Sequence, residues 1–321
     1  MRFRREEVKN ILVVKLRAMG DTLLSLPSLR ALKQGFPGAR LAALVPDAAV
    51  EVVSGDPDVD EVIPYRRAWF NSLDHHLAVY RGLQDREFDL AVCLHASFRT
   101  ALIGWMSGAR WRSVRNHSGP DWFCNLPSRE KKEPKSVIQR DFDALRALGL
   151  DPRDDRPRMA LAPWAEARAG AFWRSARLGR RVLALLPGAG KPEKRWPRER
   201  FARLARSLSR RGWQVLWIEE PGASGGAPAG VRAASFASLQ ELGAVLKRAG
   251  RVLGNDSGPR HLAAACGART FTLFGPESLR EWHPYRREEG HWALKADSGR
   301  MRDLDEAGVG REVGEWLKTA K

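Results

Sequence analysis

The sequence predicts an α/β protein of two domains, each built on a parallel β-sheet. The length of 321 residues and the 43% hydrophobic content allow a large core and favour two domains over one. Three segments run from an apolar strand through a polar or Gly-containing turn into a helix: 11–27, 182–201 and 251–276. In an open parallel sheet such turns lie at the carboxyl ends of the strands, where ligands bind.

Hydrophobic patterning and breaker residues predict the elements in order. In the first half, strands are predicted at 11–15, 40–45, 61–64 and 88–94, with a short strand in 110–135, and helices at 22–35, 48–54, 95–108 and 136–149. In the second half, strands are predicted at 181–186 and 213–219 and helices at 163–178, 198–211, 238–248 and 303–320, besides the strand, turn, helix and strand of 251–276.

The expected domain boundary lies at 151–158, which is charged, interrupted by Pro and without apolar periodicity. The first domain is expected to span 1–158 and the second 159–302, with 303–321 as a terminal helix. No apolar run approaches the ~20 residues that span a bilayer, and the basic N-terminus leads into a strand rather than a signal peptide. Three widely spaced cysteines predict buried thiols in a reducing cytoplasm.

The formal net charge of +17 predicts attraction to polyanions. Nucleic acid, an anionic membrane face and a phosphorylated lipid are candidate partners, beside the alternative of an Arg-rich surface with no such partner. No RNA- or DNA-reading motif accompanies the charge, so nucleic acid is not expected. The basic, aromatic segment 65–87 is the candidate contact to a membrane or a phosphorylated acceptor.

The turn in 251–276 holds candidate anion-binding groups. Ser257 and Gly258 open a helix, whose free backbone N–H groups and dipole suit a phosphate or diphosphate. Asp256 precedes them; it either binds sugar hydroxyls or caps the helix, and taken alone the cap is the expected role. Asp21 likewise opens the helix after the first strand, and its alternative role is also that of a helix cap.

Charged residues also follow other strands. Glu219 and Glu220 end the strand at 213–219, where a carboxylate commonly binds a ribose diol. Lys194 and Arg195, taken alone, are interpreted as an exposed basic turn. Asp58-Val59-Asp60 has the form of a DxD metal signature but precedes a strand, so we interpret it as a solvated turn and expect no metal site.

Three motifs occur along the chain in a fixed order. They are Met19-Gly20-Asp21 with Leu26-Pro27, then Glu193-Lys194-Arg195-Trp196-Pro197, then Asn255-Asp256-Ser257-Gly258 with His261-Leu262-Ala263-Ala264. This ordered set resembles the ADP-heptose:lipopolysaccharide heptosyltransferases, glycosyltransferase family 9, over nearly the whole chain. The resemblance implies a GT-B fold, with two Rossmann-like domains whose parallel sheets face across a cleft, and a terminal helix that packs back on the first domain.

The resemblance also implies a reaction and its residues. An inverting glycosyltransferase would move a heptose from ADP-heptose to the inner core of lipopolysaccharide, without a cofactor or metal, and the chain has no nucleophile arrangement such as GxSxG. Asp21 is the implied general base and Lys194 the implied diphosphate contact. The expected donor contacts are Gly188, Gly190, Lys191, Glu219, Asp256, Ser257, Gly258 and His261. The expected acceptor contacts are Arg17, Gly20, His95 and Arg99, with an outward polar helix start as the alternative for His95 and Arg99.

The implied partners are a nucleotide sugar, a lipid-linked acidic glycan acceptor and the anionic surface of the inner membrane. The enzyme is then expected in the cytoplasm, peripheral on the cytoplasmic face of that membrane, where the positive charge helps acceptor docking. Two alternatives stay open: a family relative that uses another nucleotide sugar or acceptor, and a non-catalytic GT-B module that binds an anionic glycan.

Overall fold

The computed structural model describes residues 2–66, 73–115, 121–128, 133–222 and 226–319. The chain divides into two compact units, Met1–Ala160 and Leu161–Lys321. Within the described ranges, none of the helices is long and apolar enough to cross a membrane.

The first unit is built on a five-stranded parallel sheet. Its strands are β1 (Asn10–Val14), β2 (Arg40–Pro46), β3 (Glu61–Tyr65), β4 (Leu90–Cys93) and β5 (Trp111–Val114), in the order β3-β2-β1-β4-β5. Its helices are α1 (Met19–Leu23), α2 (Leu26–Gly35), α3 (Val50–Val53), α4 (Leu73–Gln84), α5 (Phe98–Met106) and α6 (Val137–Arg146). Because the strand order reverses between β1 and β4, their carboxyl ends form the crevice where such sheets bind ligands.

The second unit is built on a six-stranded parallel sheet. Its strands are β6 (Val182–Leu186), β7 (Gln214–Glu219), β8 (Arg232–Ser235), β9 (Arg251–Asn255), β10 (Arg269–Phe274) and β11 (Trp292–Lys295), in the order β11-β10-β9-β6-β7-β8. Its helices are α7 (Pro163–Ser175), α8 (Arg198–Arg210), α9 (Leu239–Ala249), α10 (Gly258–Ala265), α11 (Leu279–Trp282) and α12 (Glu306–Lys318). The strand order reverses between β6 and β9, so the two loops that follow these strands meet at the switch point.

The predicted central strands are confirmed, because each is a continuous apolar run that both faces of a parallel sheet bury. The predicted cap at Ser238 is also confirmed, because its side chain accepts a hydrogen bond from a backbone N–H group of α9. Helix α5 begins later than predicted, with Ser97 as its N-cap. The sequence does not predict β8 and β11. Both are edge strands of four residues that are half-buried or exposed, and neither has more than three apolar residues in a row.

The terminal helix α12 buries Val309, Val313 and Trp316 in the core of the second unit. The indole of Trp316 lies 5.7 Å from the ring of Phe271, and its Nε1 donates a 2.9 Å hydrogen bond to the Gly290 carbonyl. The apolar face of this helix is therefore used within its own unit. The expected packing of the helix on the first domain stays a prediction.

Candidate active site

In the second unit, Asn255 joins the loops that follow β6 and β9. This buried residue ends β9; its Oδ1 accepts from the Trp196 N–H at 3.0 Å, and its Nδ2 donates to the Pro187 carbonyl at 2.7 Å. Pro187 and Trp196 are the two ends of the loop that carries Lys194. The indole of Trp196 is itself buried and donates to the Leu304 carbonyl at 2.9 Å. The position of Lys194 is therefore set by the amide of Asn255 and the indole of Trp196, two motif residues for which the sequence predicts no role.

Lys194 lies between two carboxylates. Its Nζ is 2.9 Å from Asp256 Oδ2 and 3.0 Å from Glu277 Oε1, and these two residues follow β9 and β10. Burial by itself lowers the pKa of Lys194, but the hydrogen bonds and charges of Asp256 and Glu277 together outweigh it and raise that pKa. The side chain is 18% exposed, so Lys194 is not the exposed basic turn that its sequence alone suggests. It is a charged ammonium with one face left to a ligand.

Asp256 is held by a second cation. Its Oδ1 lies 2.7 Å from Nη2 of Arg260, an arginine whose side chain is 0% exposed. The N-cap of α10 is Ser257, so Asp256 does not have the cap role that its sequence position, taken alone, predicts. The carboxylate of Asp256 instead bridges Arg260 and Lys194, with one oxygen turned to each.

The start of α10 offers donors for an anion. Pro259 has no N–H, so the N–H groups of Ser257, Gly258 and Arg260 are those that the first turn supplies. Ser257 Oγ is buried and, in the part of the chain that the structure describes, has no hydrogen-bond partner. A buried hydroxyl of this kind beside free N–H groups suits a phosphate oxygen.

His261 is buried, and both of its ring nitrogens face protein groups. Arg260 Nη2 lies 3.0 Å from Nε2, and Tyr285 Oη lies 2.7 Å from Nδ1. Burial first, and then the charges of Arg260, His283 and Lys194, lower the pKa of His261 well below its usual value, so the ring is neutral. Since Arg260 only donates, Nε2 is the acceptor and the proton is on Nδ1. Both ring nitrogens are thus engaged inside the protein, and a direct contact of His261 with the donor stays a prediction.

The two glutamates at the end of β7 have different environments. Glu219 accepts from Arg198 Nη2 at 2.6 Å and from the indole of Trp217 at 2.8 Å, so its carboxylate is engaged within the unit. Glu220 is exposed, and its carboxylate lies so close to Gly188 that a Cβ at position 188 would collide with it. The carboxylate beside the loop after β6 is therefore that of Glu220, whereas Glu219 is the predicted donor contact. The absence of a side chain at position 188 leaves room for it.

The remaining predicted donor contacts lie on the same loop. Lys191 is exposed, and a Cβ at Gly190 would meet open space, so no neighbouring group requires glycine there. Next to Glu219, at the carboxyl ends of β7 and β8, lies a cavity of about 540 Å³. Its lining is mostly small and apolar: Glu219, Gly226, Ala227, Val231, Ala233, Ala234 and Ser235.

In the first unit, Asp21 is the third residue of α1, and the N-cap of that helix is Ala18. Asp21 therefore does not cap its helix. Its side chain is 13% exposed, and Oδ1 lies 3.5 Å from Nε of the more exposed Arg17. Gly20, the predicted neighbouring acceptor contact, is buried.

A charged cluster lies at the carboxyl ends of β1, β4 and β5. Lys15 and Arg115 both donate to the buried carboxylate of Asp141 on α6, and both lie within hydrogen-bond distance of the Leu94 carbonyl. Burial first, and then the charges of Arg17, Lys15 and Arg115, lower the pKa of the neighbouring His95 to about 4. The structure therefore brings His95 and Arg17 together near two cations that the sequence analysis does not identify. Arg99 lies on α5 and is exposed.

No group of acidic, histidine or cysteine side chains able to hold a metal ion occurs among the described residues. The three cysteines are free and buried, as expected. The candidate membrane segment 65–87 is described only in part, because residues 67–72 lie outside the described ranges.

The histidines around Arg260 predict a loss of stability in acid. Burial and then the charge of Arg260 lower the pKa of His283 to about 3, and burial lowers that of His291 to about 4. An unfolded histidine has a pKa of about 6.5. Between that pH and pH ~4, the unfolded chain therefore binds more protons than the folded chain. Stability is then lost as the pH falls through this range, at no more than about 1.4 kcal/mol per pH unit for each histidine. Urea unfolding midpoints at pH 7.5 and pH 5 measure this loss. The midpoint of His283→Gln should fall less between the two pH values than that of the wild type, and an equal fall in both proteins would contradict the prediction.

Comparison with known proteins identifies a family, a relative and two solved structures. The model of glycosyltransferase family 9 (heptosyltransferase) matches residues 76–306. Lipopolysaccharide heptosyltransferase 3 of Escherichia coli is 23% identical over 287 residues, which cover 84% of each chain. Among solved structures, the glycosyl transferase family 9 protein of Veillonella parvula DSM 2008 has a TM-score of 0.85 at 20% identity, with 99% of each chain covered. The E. coli heptosyltransferase WaaC with ADP-2-deoxy-2-fluoro heptose has a TM-score of 0.73 at 21% identity, covering 95% of this chain and 99% of that one.

Proposed function

This chain belongs to glycosyltransferase family 9 (heptosyltransferase) and has its GT-B fold of two Rossmann-like units, and from that premise we propose that it transfers a heptose from ADP-heptose to the inner core of lipopolysaccharide. The observation that carries the proposal is Lys194, held by Asp256 and Glu277 beside the free N–H groups of α10. A cation and helix N–H groups at one switch point are what a diphosphate leaving group requires.

The proposed donor is held both at its phosphates and at its sugar. At the phosphates, Ser257 Oγ and the first N–H groups of α10 bind phosphate oxygens, and Lys194 neutralises the charge that grows as ADP leaves. At the sugar, Asp256 Oδ2 accepts hydrogen bonds from hydroxyl groups of the heptose once Lys194 has turned to the phosphates. The relatives' names support heptose as the sugar: one is a lipopolysaccharide heptosyltransferase and another was solved with an ADP-heptose analogue.

The nucleoside is proposed to lie along β6, β7 and β8. Glu220, beside Gly188, binds the ribose diol, and the small apolar cavity at the ends of β7 and β8 accepts the base. Glu219 has a structural role through its pair with Arg198.

Glu220→Gln and Glu219→Gln are expected to differ in kind. The Glu220 variant should weaken ADP binding by about tenfold, the loss of roughly one charge-assisted hydrogen bond, and should bind 2′,3′-dideoxy-ADP as the wild type does. The Glu219 variant should instead lower the unfolding temperature, because it leaves Arg198 partly buried without its carboxylate. Calorimetry and thermal unfolding measure both effects. If only the Glu219 variant binds ADP more weakly, Glu219 rather than Glu220 is the donor contact.

In the proposed reaction, Asp21 is the general base. It takes the proton of the acceptor hydroxyl as that oxygen bonds to the anomeric carbon of the heptose, while the bond from this carbon to the phosphate oxygen breaks. ADP leaves with the electron pair of that bond, and Lys194 stabilises it. The single displacement inverts the anomeric configuration and needs no covalent enzyme intermediate. Arg17 and Arg99, with Lys15 and Arg115 nearby, form the basic surroundings in which an acidic acceptor docks. His95, whose pKa is lowered to about 4, contacts the acceptor as a neutral ring, and Gly20 stays a predicted contact without further support.

The proposed partners follow from this acceptor. A lipid-linked acidic glycan brings the enzyme to the anionic cytoplasmic face of the inner membrane as a peripheral protein, and the net charge of +17 favours that surface. No cofactor is proposed, and nucleic acid is not proposed as a partner.

Calorimetric titration with ADP, UDP and GDP, and then with ADP-heptose, tests the donor. The proposal expects selective binding of ADP that the heptose strengthens. Preference for UDP or GDP would point to a family relative with another donor. Binding of none of them would favour a non-catalytic module.

A further inference from the structure

Arg260 is a fully buried arginine at the centre of the donor site. Its Nη2 lies 2.7 Å from Asp256 Oδ1, 3.0 Å from His261 Nε2 and 3.0 Å from the Trp282 carbonyl oxygen. Because the side chain is 0% exposed, we take Arg260 to influence a ligand through the groups that its Nη2 contacts.

Two aromatic rings complete its surroundings. The guanidinium carbon lies 5.5 Å from the ring centroid of Phe274 and 5.3 Å from that of Tyr285. Contacts of this kind favour the cation and help to hold the planar group in one orientation. The arginine is therefore a fixed charge, whereas Lys194 has a flexible stem and is partly exposed.

The charges around Asp256 show why a fixed cation matters. Lys194 faces both Asp256 and Glu277, and both carboxylates compete with a diphosphate for its ammonium. If Lys194 turns to a diphosphate, the almost fully buried Asp256 loses one counter-ion. A buried carboxylate without any counter-ion is strongly unfavourable, and it would hold Lys194 back from the ligand.

We propose that Arg260 is a positioning residue that acts as the permanent counter-ion of Asp256 and so frees Lys194 to neutralise the diphosphate of the donor. The proposal rests on the proposed function in taking a nucleotide diphosphate as the ligand. Arg260 has a second effect through the same nitrogen: it donates to His261 Nε2 and thereby keeps the His261 proton on the side of Tyr285.

A double-mutant cycle between Arg260 and Asp256, read as ADP affinity by calorimetry, tests this role. Arg260→Met should weaken ADP binding about tenfold, within the range of coupling between contacting charged residues. In an Asp256→Asn background the same change should cost less than about twofold, because no buried carboxylate then competes for Lys194. Arg260→Lys, which keeps the charge, should restore most of the affinity. Arg203→Met, which breaks an exposed pair with Glu306, is the matched control.

Equal losses in the two backgrounds, or no loss in either, would overturn the counter-ion role. If Arg260→Met does not fold, Arg260→Gln enters the same cycle, since it too removes the charge. A nitrogen NMR measurement of the His261 ring gives a readout without any ligand: the proton should be on Nδ1 in the wild type and should redistribute in the uncharged variants. If ADP binds tightly but no heptose is transferred, the proposed function is rejected and the role of Arg260 is not. If heptose is transferred but the effects of the Arg260 and Asp256 changes on ADP affinity are additive, only the role of Arg260 is rejected.

Discussion

Replacing Asp21 with Asn is expected to reduce heptose transfer by about 10²- to 10⁴-fold, the usual contribution of a positioned general base. The amide keeps the shape of the side chain but cannot take the proton of the acceptor hydroxyl. Because Asp21 belongs to the first unit and the proposed nucleotide contacts belong to the second, ADP affinity should stay within about twofold of the wild type, which is less than ~0.4 kcal/mol.

The matched control for this variant is Asp151→Asn. Asp151 is an exposed carboxylate of the same unit, 3.5 Å from Nε of Arg153, and it follows Leu150, whose side chain packs at Gly35 where α2 ends. Its removal should leave transfer unchanged. Steady-state kinetics with ADP-heptose and a lipid-linked acceptor give the comparison. If the Asp21 variant transfers heptose at the rate of its control, Asp21 is not the base.

Lys194→Met is expected to lower kcat/KM for the donor by about 10²- to 10³-fold, the range found when one group that stabilises developing charge is removed. Methionine keeps much of the length of the lysine stem but removes the ammonium. Unlike the Asp21 variant, this one should also bind ADP more weakly, because the cation contacts the diphosphate before and after transfer. Asp256 keeps Arg260 as its counter-ion, so only a modest loss of thermal stability is expected.

Lys247→Met is the control for the lysine variant. Lys247 lies in the same unit and pairs with Glu166 at 2.7 Å on an exposed surface, where such pairs contribute little. Both proteins are compared in kinetics, ADP calorimetry and thermal unfolding. A Lys194 variant with normal ADP affinity and a normal rate would show that the diphosphate is stabilised by other groups.

The sheets were predictable because parallel strands are apolar throughout and end at Gly, Pro or polar residues. The same logic placed Asp21, Lys194 and Asp256 at the carboxyl ends of strands, where the structure has them. Glu277 follows β10 in the same way, but the polar and aromatic stretch 277–290 has no pattern that predicts a site residue there. The edge strands β8 and β11 have at most three apolar residues in a row, too few to predict a strand.

Other features depend on contacts that no local pattern contains. Glu219 and Glu220 differ only in the side of the strand end to which each points, and one residue of register decides which carboxylate meets Gly188. Arg260 lies beside Asp256 because the two are one helical turn apart, yet its burial depends on Phe274 and Tyr285 from later segments. Asp141 meets Lys15 across 126 positions of the chain, so only the folded structure joins them.

The most direct test of the proposed function is transfer itself. Wild-type protein, ADP-heptose and a lipid-linked inner-core acceptor that lacks the added heptose are incubated together, and the acceptor is weighed by mass spectrometry while ADP release is followed. The account predicts an acceptor heavier by one heptose unit, with one ADP released for each transfer, and at least about 10²-fold slower product formation by the Asp21→Asn variant. An acceptor of unchanged mass, under conditions in which ADP-heptose binds, would contradict it.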